Sequence, residues 1–303
     1  MATSAAGDGN VKALRIADVN IGLEAESPAM DVAFAGTHAA FLAESPRPEI
    51  EIRAEWSELS PDTNGAQVFN AGDTWHLARS NGHYILDFFT PLCGRVPYKR
   101  LTANCDWSRG RVTLHRAFYD TNQPVHPFDY PLDELLLVHY LSQRSGVIVH
   151  GCGIVDETGA GYLFVGHSGA GKTTTALLWN DLPGVTILSD DRIVLRRSEG
   201  RVLMHGTPWH GESRLCAPGS AEIRAIFLLE HGAGNEFAPV KRAEAVADLV
   251  ARSFLAYHDG AGVAGVVSLF EQILTEVPCL RFSFAPGVAA VEAVREWARR
   301  GNG

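Results

Sequence analysis

The chain has 303 residues, of which 46% are hydrophobic, so it can bury a large core without metals or disulfides. Its formal charge of −9 gives a field that disfavours nucleic-acid backbones as partners. There is no apolar run of about 18 residues and no basic-then-apolar leader, so neither a membrane nor an export route is expected. The five cysteines, Cys93, Cys105, Cys152, Cys216 and Cys279, are widely spaced without zinc-like pairing, which fits a reducing cytoplasmic setting.

Residues 1–10 read as a loose tail. From residue 11 to 128 the pattern is short strands and turns, a small mostly-β accessory or substrate-recognition module. Residues 74–80 and 83–89 alternate around Asn81-Gly82, a tight-turn pair, and predict a hairpin; residues 111–119 predict another strand. Three prolines between 121 and 131 mark a connector, and Pro131 can open a helix to about Gln143 because its missing N–H costs nothing there.

From 129 to 303 strands and helices mix, and we expect one catalytic domain there. Residues 147–166 read as strand, turn, strand, the second running into a helix that ends near Trp179. Residues 185–191 form a buried strand closed by two acids; further strands follow at 193–197, 201–206, 223–229 and 279–284. Helices are expected at 243–257, 267–275 and 288–299, the last with Arg295, Arg299 and Arg300 toward its C-terminal dipole. Short turns between strands predict a mixed rather than purely parallel sheet.

The sharpest signal is Gly166-His167-Ser168-Gly169-Ala170-Gly171-Lys172-Thr173, with Thr174 following, between a strand and a helix. Every fixed position of G-x-x-x-x-G-K-[ST] is present. Glycines let amide groups curl around phosphate oxygens, Lys172 brings charge to the terminal phosphates, and the Thr173 hydroxyl suits Mg²⁺. Lys172 is one of only four lysines in the chain.

Asp190 and Asp191 close the strand that follows, where successive carboxylates point differently and can divide metal and acceptor duties. His150 lies one element before the glycine loop and is expected to set its ring against Asp190 for proton handling. In residues 205–214, Glu212 can reach a metal shell and Arg214 a phosphate, beside Trp209 as an apolar anchor.

The order of these motifs, His150-Gly151, the loop GHSGAGKT and Ser189-Asp190-Asp191, resembles the catalytic domain of HPr kinase/phosphorylase and related serine kinases over residues 135–284. The resemblance implies a P-loop kinase domain with a mixed sheet of the HPr kinase/PEP carboxykinase type. It makes His150 and Asp190 the proton-handling pair, with Thr173, Asp191 and Glu212 near Mg²⁺ and Lys172 on the transferred group. Lys241 and Arg242 stand for the basic residues of the family's later catalytic loop. The stretch GTPWHGE at 206–212 departs from HPr kinases themselves and is closer to HPr-kinase-related proteins of peptide-modification systems. The implied activity is ATP- and Mg²⁺-dependent phosphorylation of a serine in a protein or ribosomal peptide, with self-association expected because HPr kinases are oligomers. A nucleotide-responsive ATPase and a kinase of a small hydroxyl-bearing metabolite remain alternatives; phosphoenolpyruvate carboxykinases share the loop and paired acids but are longer.

Overall fold

The structure, a computed structural model, describes residues 11–44 and 47–300; the tail expected at 1–10 lies outside the described residues. The fold is mixed α/β, β-rich toward the N-terminus with the helices later in the chain. The sequence boundary was expected after residue 128. The chain divides into two compact units between Tyr140 and Leu141, within a helix.

The first unit is built on strands β1 (Val11–Ile16), β2 (Val19–Ala25), β3 (Leu42–Ala43), β4 (Ile50–Ser57), β5 (Ala66–Asn70), β6 (Trp75–Ser80), β7 (His83–Phe88), β8 (Lys99–Asn104) and β9 (Arg109–His115). They form one sheet in the order β3-β1-β2-β4-β9-β8-β7-β6-β5. The β6–β7 hairpin turns on Asn81 (φ 48°) and Gly82 (φ 78°), both left-handed, as the Asn-Gly pair predicts. In β4 the residues Ile50, Ile52, Ala54 and Trp56 are buried while Glu51, Arg53 and Glu55 point the other way, giving the sheet one apolar face. On its polar face arginines and glutamates pair across strands, Arg111 with Glu26 and Glu55 and Arg109 with Glu51.

Helix α1 (Leu132–Ser142) begins where Pro131 predicts, with Asp133 and Glu134 in its first turn. Asp133 is fully buried and accepts from His38 Nε2 at 2.7 Å. His126 stacks edge-on against His38 (ring centroids 4.7 Å) and Phe34 (4.9 Å). Lys99, also fully buried, bonds Asp129 and lies over the rings of Phe88 and Tyr98 at 5.1 and 5.7 Å. These pairs tie the proline-rich connector and α1 to the sheet.

The second unit contains β10 (Gly146–Val155), β11 (Gly161–Val165), α2 (Lys172–Asn180), β12 (Thr186–Ser189), β13 (Arg192–Ser198), β14 (Arg201–His205), β15 (Ser220–His231), β16 (Glu236–Pro239), α3 (Arg242–Val250), β17 (Ser253–Phe254), α4 (Gly260–Glu276), β18 (Cys279–Phe284) and α5 (Val288–Arg300). The helix expected at 243–257 stops at Val250, and β17 follows instead. Asp259 caps α4 by accepting from Gly262 N, so that helix starts earlier than its apolar periodicity suggests. Pairings run β11-β10-β13-β14-β15 and back to β11, and β15 continues into β18 and β16. The β11–β15 and β15–β18 pairs are parallel and the remaining ladders antiparallel, which makes a mixed arrangement as expected.

Alternation along these strands serves two cores. Leu163, Val165, Ile226 and Leu228 join Leu249 of α3 and Leu269, Phe270 and Ile273 of α4. Tyr162, Phe164, Ala225 and Phe227 join Ala176 and Trp179 of α2 and Val291 and Val294 of α5. Strands buried on both faces read as continuous apolar runs, which is the pattern YLFV shows.

His126 carries a consequence for stability. Burial, reinforced by the nearby His38, pulls its pKa down from 6.5 to about 4, against the raising influence of Asp129 and Asp133 and with Lys99 adding slightly to the fall. The unfolded chain therefore binds more protons between those values, so the stabilisation present above about pH 6.5 is lost as pH falls toward 4. Thermal unfolding of the full chain followed from pH 7 to about pH 4 is expected to show a falling midpoint, and His126→Phe to flatten that dependence.

Candidate functional site

The fully buried strand β11 delivers the chain to the glycine loop, and α2 starts at Lys172 immediately after it. Gly169 (φ 80°) and Gly171 (φ 106°) adopt backbone conformations that side chains resist. A Cβ on Gly171 would stand 2.4 Å from Phe284 Cζ, so the loop is both conformationally and sterically restricted to glycine there. Ala170 N donates to His167 O (3.1 Å), and both the amide and hydroxyl of Thr175 donate to Gly171 O (2.8 and 2.9 Å). The first-turn amides of α2 have no earlier helical carbonyl to bond.

Lys172 is buried and its Nζ donates to the loop's own carbonyls, Gly166 O at 2.9 Å and His167 O at 3.1 Å. Burial lowers its pKa below the ordinary lysine value; Cys152 opposes that, Arg252 adds to it and Asp190 opposes it. His167, Ser168 and Gly169 are exposed at the lip, and Thr173 and Thr174 are half-buried at the helix start. His231, from the end of β15, places Nε2 2.9 Å from Gly169 O.

β10 and β11 pair with Gly151 opposite Val165, which puts His150 beside the root of the loop. At this point β10 exchanges partners. Before it the strand pairs with β13 on one edge and β17 on the other; beyond it β12 and β11 take over those edges. His150 N donates to Arg252 O (2.7 Å), and Gly151 N donates to Asp191 O (3.0 Å).

The expected pairing of His150 with Asp190 is not what the structure holds. His150 Nδ1 lies 2.9 Å from Asp191 Oδ1, and the other Asp191 oxygen pairs with Arg192. Asp190 is only 1% exposed and turns to a different segment. It accepts from Gly211 N (2.6 Å), Ser213 N (3.2 Å) and Ser213 Oγ (2.5 Å). The physical reason is the turn itself. Ser189 Oγ accepts from the amides of Asp191 and Arg192 and donates to Trp209 O, which sends the two carboxylates to opposite sides. A carboxylate bonded by three donors of one segment is a structural anchor, whereas one that bonds imidazole Nδ1 fixes the ring's orientation and leaves Nε2 as its basic nitrogen.

Other expected site residues are more dispersed. Glu212 and Arg214 are exposed in the segment whose backbone clasps Asp190, Arg214 with φ 57°. Lys241 caps α3 and Arg242 opens it, both exposed. Of the expected metal set of Thr173, Asp191 and Glu212, both Asp191 oxygens are engaged by protein groups and Glu212 is exposed; among the described residues no group of three or more His, Cys, Asp or Glu side chains could hold a metal. Thr173, at the first turn of α2, is the member of that set whose position fits an ion carried mainly by phosphate oxygens.

Arg252 escaped the sequence reading. It follows α3, its carbonyl holds the His150 amide, and its NH1 bonds Asp248 Oδ1 (2.6 Å) while its buried Nε has no protein partner. Its charge reaches Lys172. Nothing in the residue pattern marks it, because Ala251 and Arg252 extend the helical run of α3 and only the pairing of β17 breaks it.

Gly171→Ala is expected to destabilise the second unit by about 2 kcal/mol or more, from left-handed strain and the collision with Phe284. Gly169→Ala, with open space at its Cβ, should cost less; thermal midpoints of both variants check the order. No protein-family model matches the chain and no curated protein does, so its chemistry has to be read from these distances.

Proposed function

We propose that the second unit transfers the terminal phosphoryl group of ATP to a hydroxyl, specifically a serine of a protein or ribosomal peptide. The observation that carries this reading is the glycine loop, with Lys172 folded onto its carbonyls, set beside the His150–Asp191 pair. A polyphosphate entering the loop offers Lys172 charged oxygens in place of the neutral carbonyls of Gly166 and His167. Amides of the loop and of the first turn of α2 then hold the phosphates, and Arg252 adds a second positive charge. His150, oriented by Asp191, accepts the hydroxyl proton at Nε2 as the acceptor oxygen attacks the γ-phosphorus and the bond to the bridging oxygen breaks, releasing ADP. Asp190 keeps the segment from Gly211 to Ser213 in place. Thr173 would hold Mg²⁺, which supplies neutralisation of phosphate charge when bound.

This differs from the roles that the resemblance implies, in which Asp190 belongs to the proton-handling pair. Three donors from Gly211 and Ser213 take up the Asp190 oxygens, so the proton-acceptor role is assigned to the imidazole that Asp191 orients.

The test is incubation of the purified protein with γ-labelled ATP, Mg²⁺ and a soluble extract, following label into macromolecules and small molecules. Label on a protein or peptide is expected, reduced by about 10²-fold or more in Lys172→Ala and His150→Gln. Label confined to a small metabolite moves the reading to a metabolite kinase; free phosphate alone moves it to a nucleotide-responsive ATPase.

A further inference from the structure

Resting on that reading, we infer that His231 is a positioning residue for the phosphate site, its Nε2–H holding Gly169 O so that the peptide between Gly169 and Ala170 keeps one orientation as nucleotide enters.

The strand pairings bring the two ends of this contact together. β11 runs parallel to β15 with Val165 opposite Leu228, so the glycine loop begins alongside the last residues of β15, of which His231 is the final one. His231 is paired in turn with Phe284 of β18, and Gly232 N donates to Phe284 O (3.2 Å) to close that ladder. Phe284 is the residue whose ring a Cβ on Gly171 would strike. A single ladder pair at the ends of β15 and β18 therefore meets the loop at both of its left-handed glycines, His231 at Gly169 and Phe284 at Gly171.

A carbonyl oxygen only accepts, so the Nε2 that lies 2.9 Å from Gly169 O carries a proton. In a trans peptide the C=O and the following N–H point in opposite directions. Here the oxygen goes to His231 and the Ala170 amide goes to His167 O (3.1 Å), so one peptide is held at both ends. Lys172 Nζ donates to the same His167 O, which puts the amide on the lysine's side of this peptide and the oxygen away from it. Gly169 by itself does not enforce that choice. It has φ 80° with nothing within 4 Å of where a Cβ would stand, and glycine takes either sign of φ about as readily. Rotation of the peptide would bring Gly169 O to the lysine's side, where its partial negative charge repels the phosphates that the loop is proposed to bind. His231 opposes that rotation from outside the loop. Its ring is exposed, so the bond forms in competition with water and is worth about fivefold in nucleotide affinity.

The experiment uses the full chain as wild type, His231→Gln, His231→Leu and His231→Ala, with ATP and Mg²⁺ as the probe. Calorimetric titration gives the ATP Kd, the labelled-ATP assay gives kcat and the KM for ATP, and thermal midpoints report on the fold. His231→Leu and His231→Ala are expected to weaken ATP binding by about fivefold, with the loss in the KM for ATP and kcat at saturating ATP kept within about twofold. His231→Gln, which retains an N–H donor, should return the Kd to within about twofold of wild type. Unchanged ATP binding in both His231→Leu and His231→Ala overturns the proposal. Equal weakening in His231→Gln and His231→Leu also overturns it, as does a fall in kcat at an unchanged KM for ATP. If wild type itself binds no ATP, the phosphoryl-transfer reading fails and the role of His231 falls with it.

Discussion

Strand β10 must satisfy backbone donors and acceptors along both edges for ten residues, and it does so by changing partners halfway. Its first half belongs with β13 and β17, its second with β11 and β12. The exchange falls at His150 and Gly151, whose amides reach in opposite directions, to Arg252 O and to Asp191 O. Gly153 makes the crossing possible, since a Cβ there would stand 2.5 Å from Ile193 Cδ1. His150, Asp191, Arg252 and the root of the glycine loop are brought to this exchange because three separate chain segments have to meet there to complete the backbone bonding.

The same constraint separates two adjacent carboxylates into different roles. Ser189 Oγ holds the turn by accepting two amides, after which Asp190 faces the 211–213 backbone and Asp191 faces His150. Asp190 lies deep, with its oxygens taken up by the Gly211 amide and by the Ser213 amide and hydroxyl. Asp191 is less buried and shares its oxygens between an imidazole and a guanidinium. Identical side chains one residue apart thus differ through the donors the fold supplies, as in enzymes where paired acids divide their work by environment.

Features whose determinants are local were legible in the sequence. Asn81-Gly82 specifies its own turn, Pro131 marks the start of α1, and the glycine loop is written in eight consecutive residues between a strand and a helix. Non-local features were not. The Asp190 donors come from 21 and 23 residues away along the chain, and no spacing rule announces them. β17 is two residues long and has strand geometry only because β10 offers an open edge, so a helix-favouring run concealed both the break and Arg252. Likewise the mostly-β character of the first unit was readable from alternation, but its single nine-stranded sheet depends on parallel β2–β4 and β4–β9 pairings that short-range turn signals cannot encode.

The resting geometry of Lys172 gives the proposed chemistry its energetic direction. Its ammonium is buried on two neutral carbonyls and depressed in pKa, with Arg252 adding repulsion from nearby. Like charges in a partly desolvated place attract an anion, which offsets both the desolvation and the repulsion. Carboxylates alone do so incompletely here: Asp190 is committed to backbone amides, and Asp248 is shared between Arg252 and Arg281. The polyphosphate of the proposed reaction brings more charged oxygens than any single acid does. The glycines matter for the loop's path, because Gly171 lets the chain pass against Phe284, where a side chain would push it away.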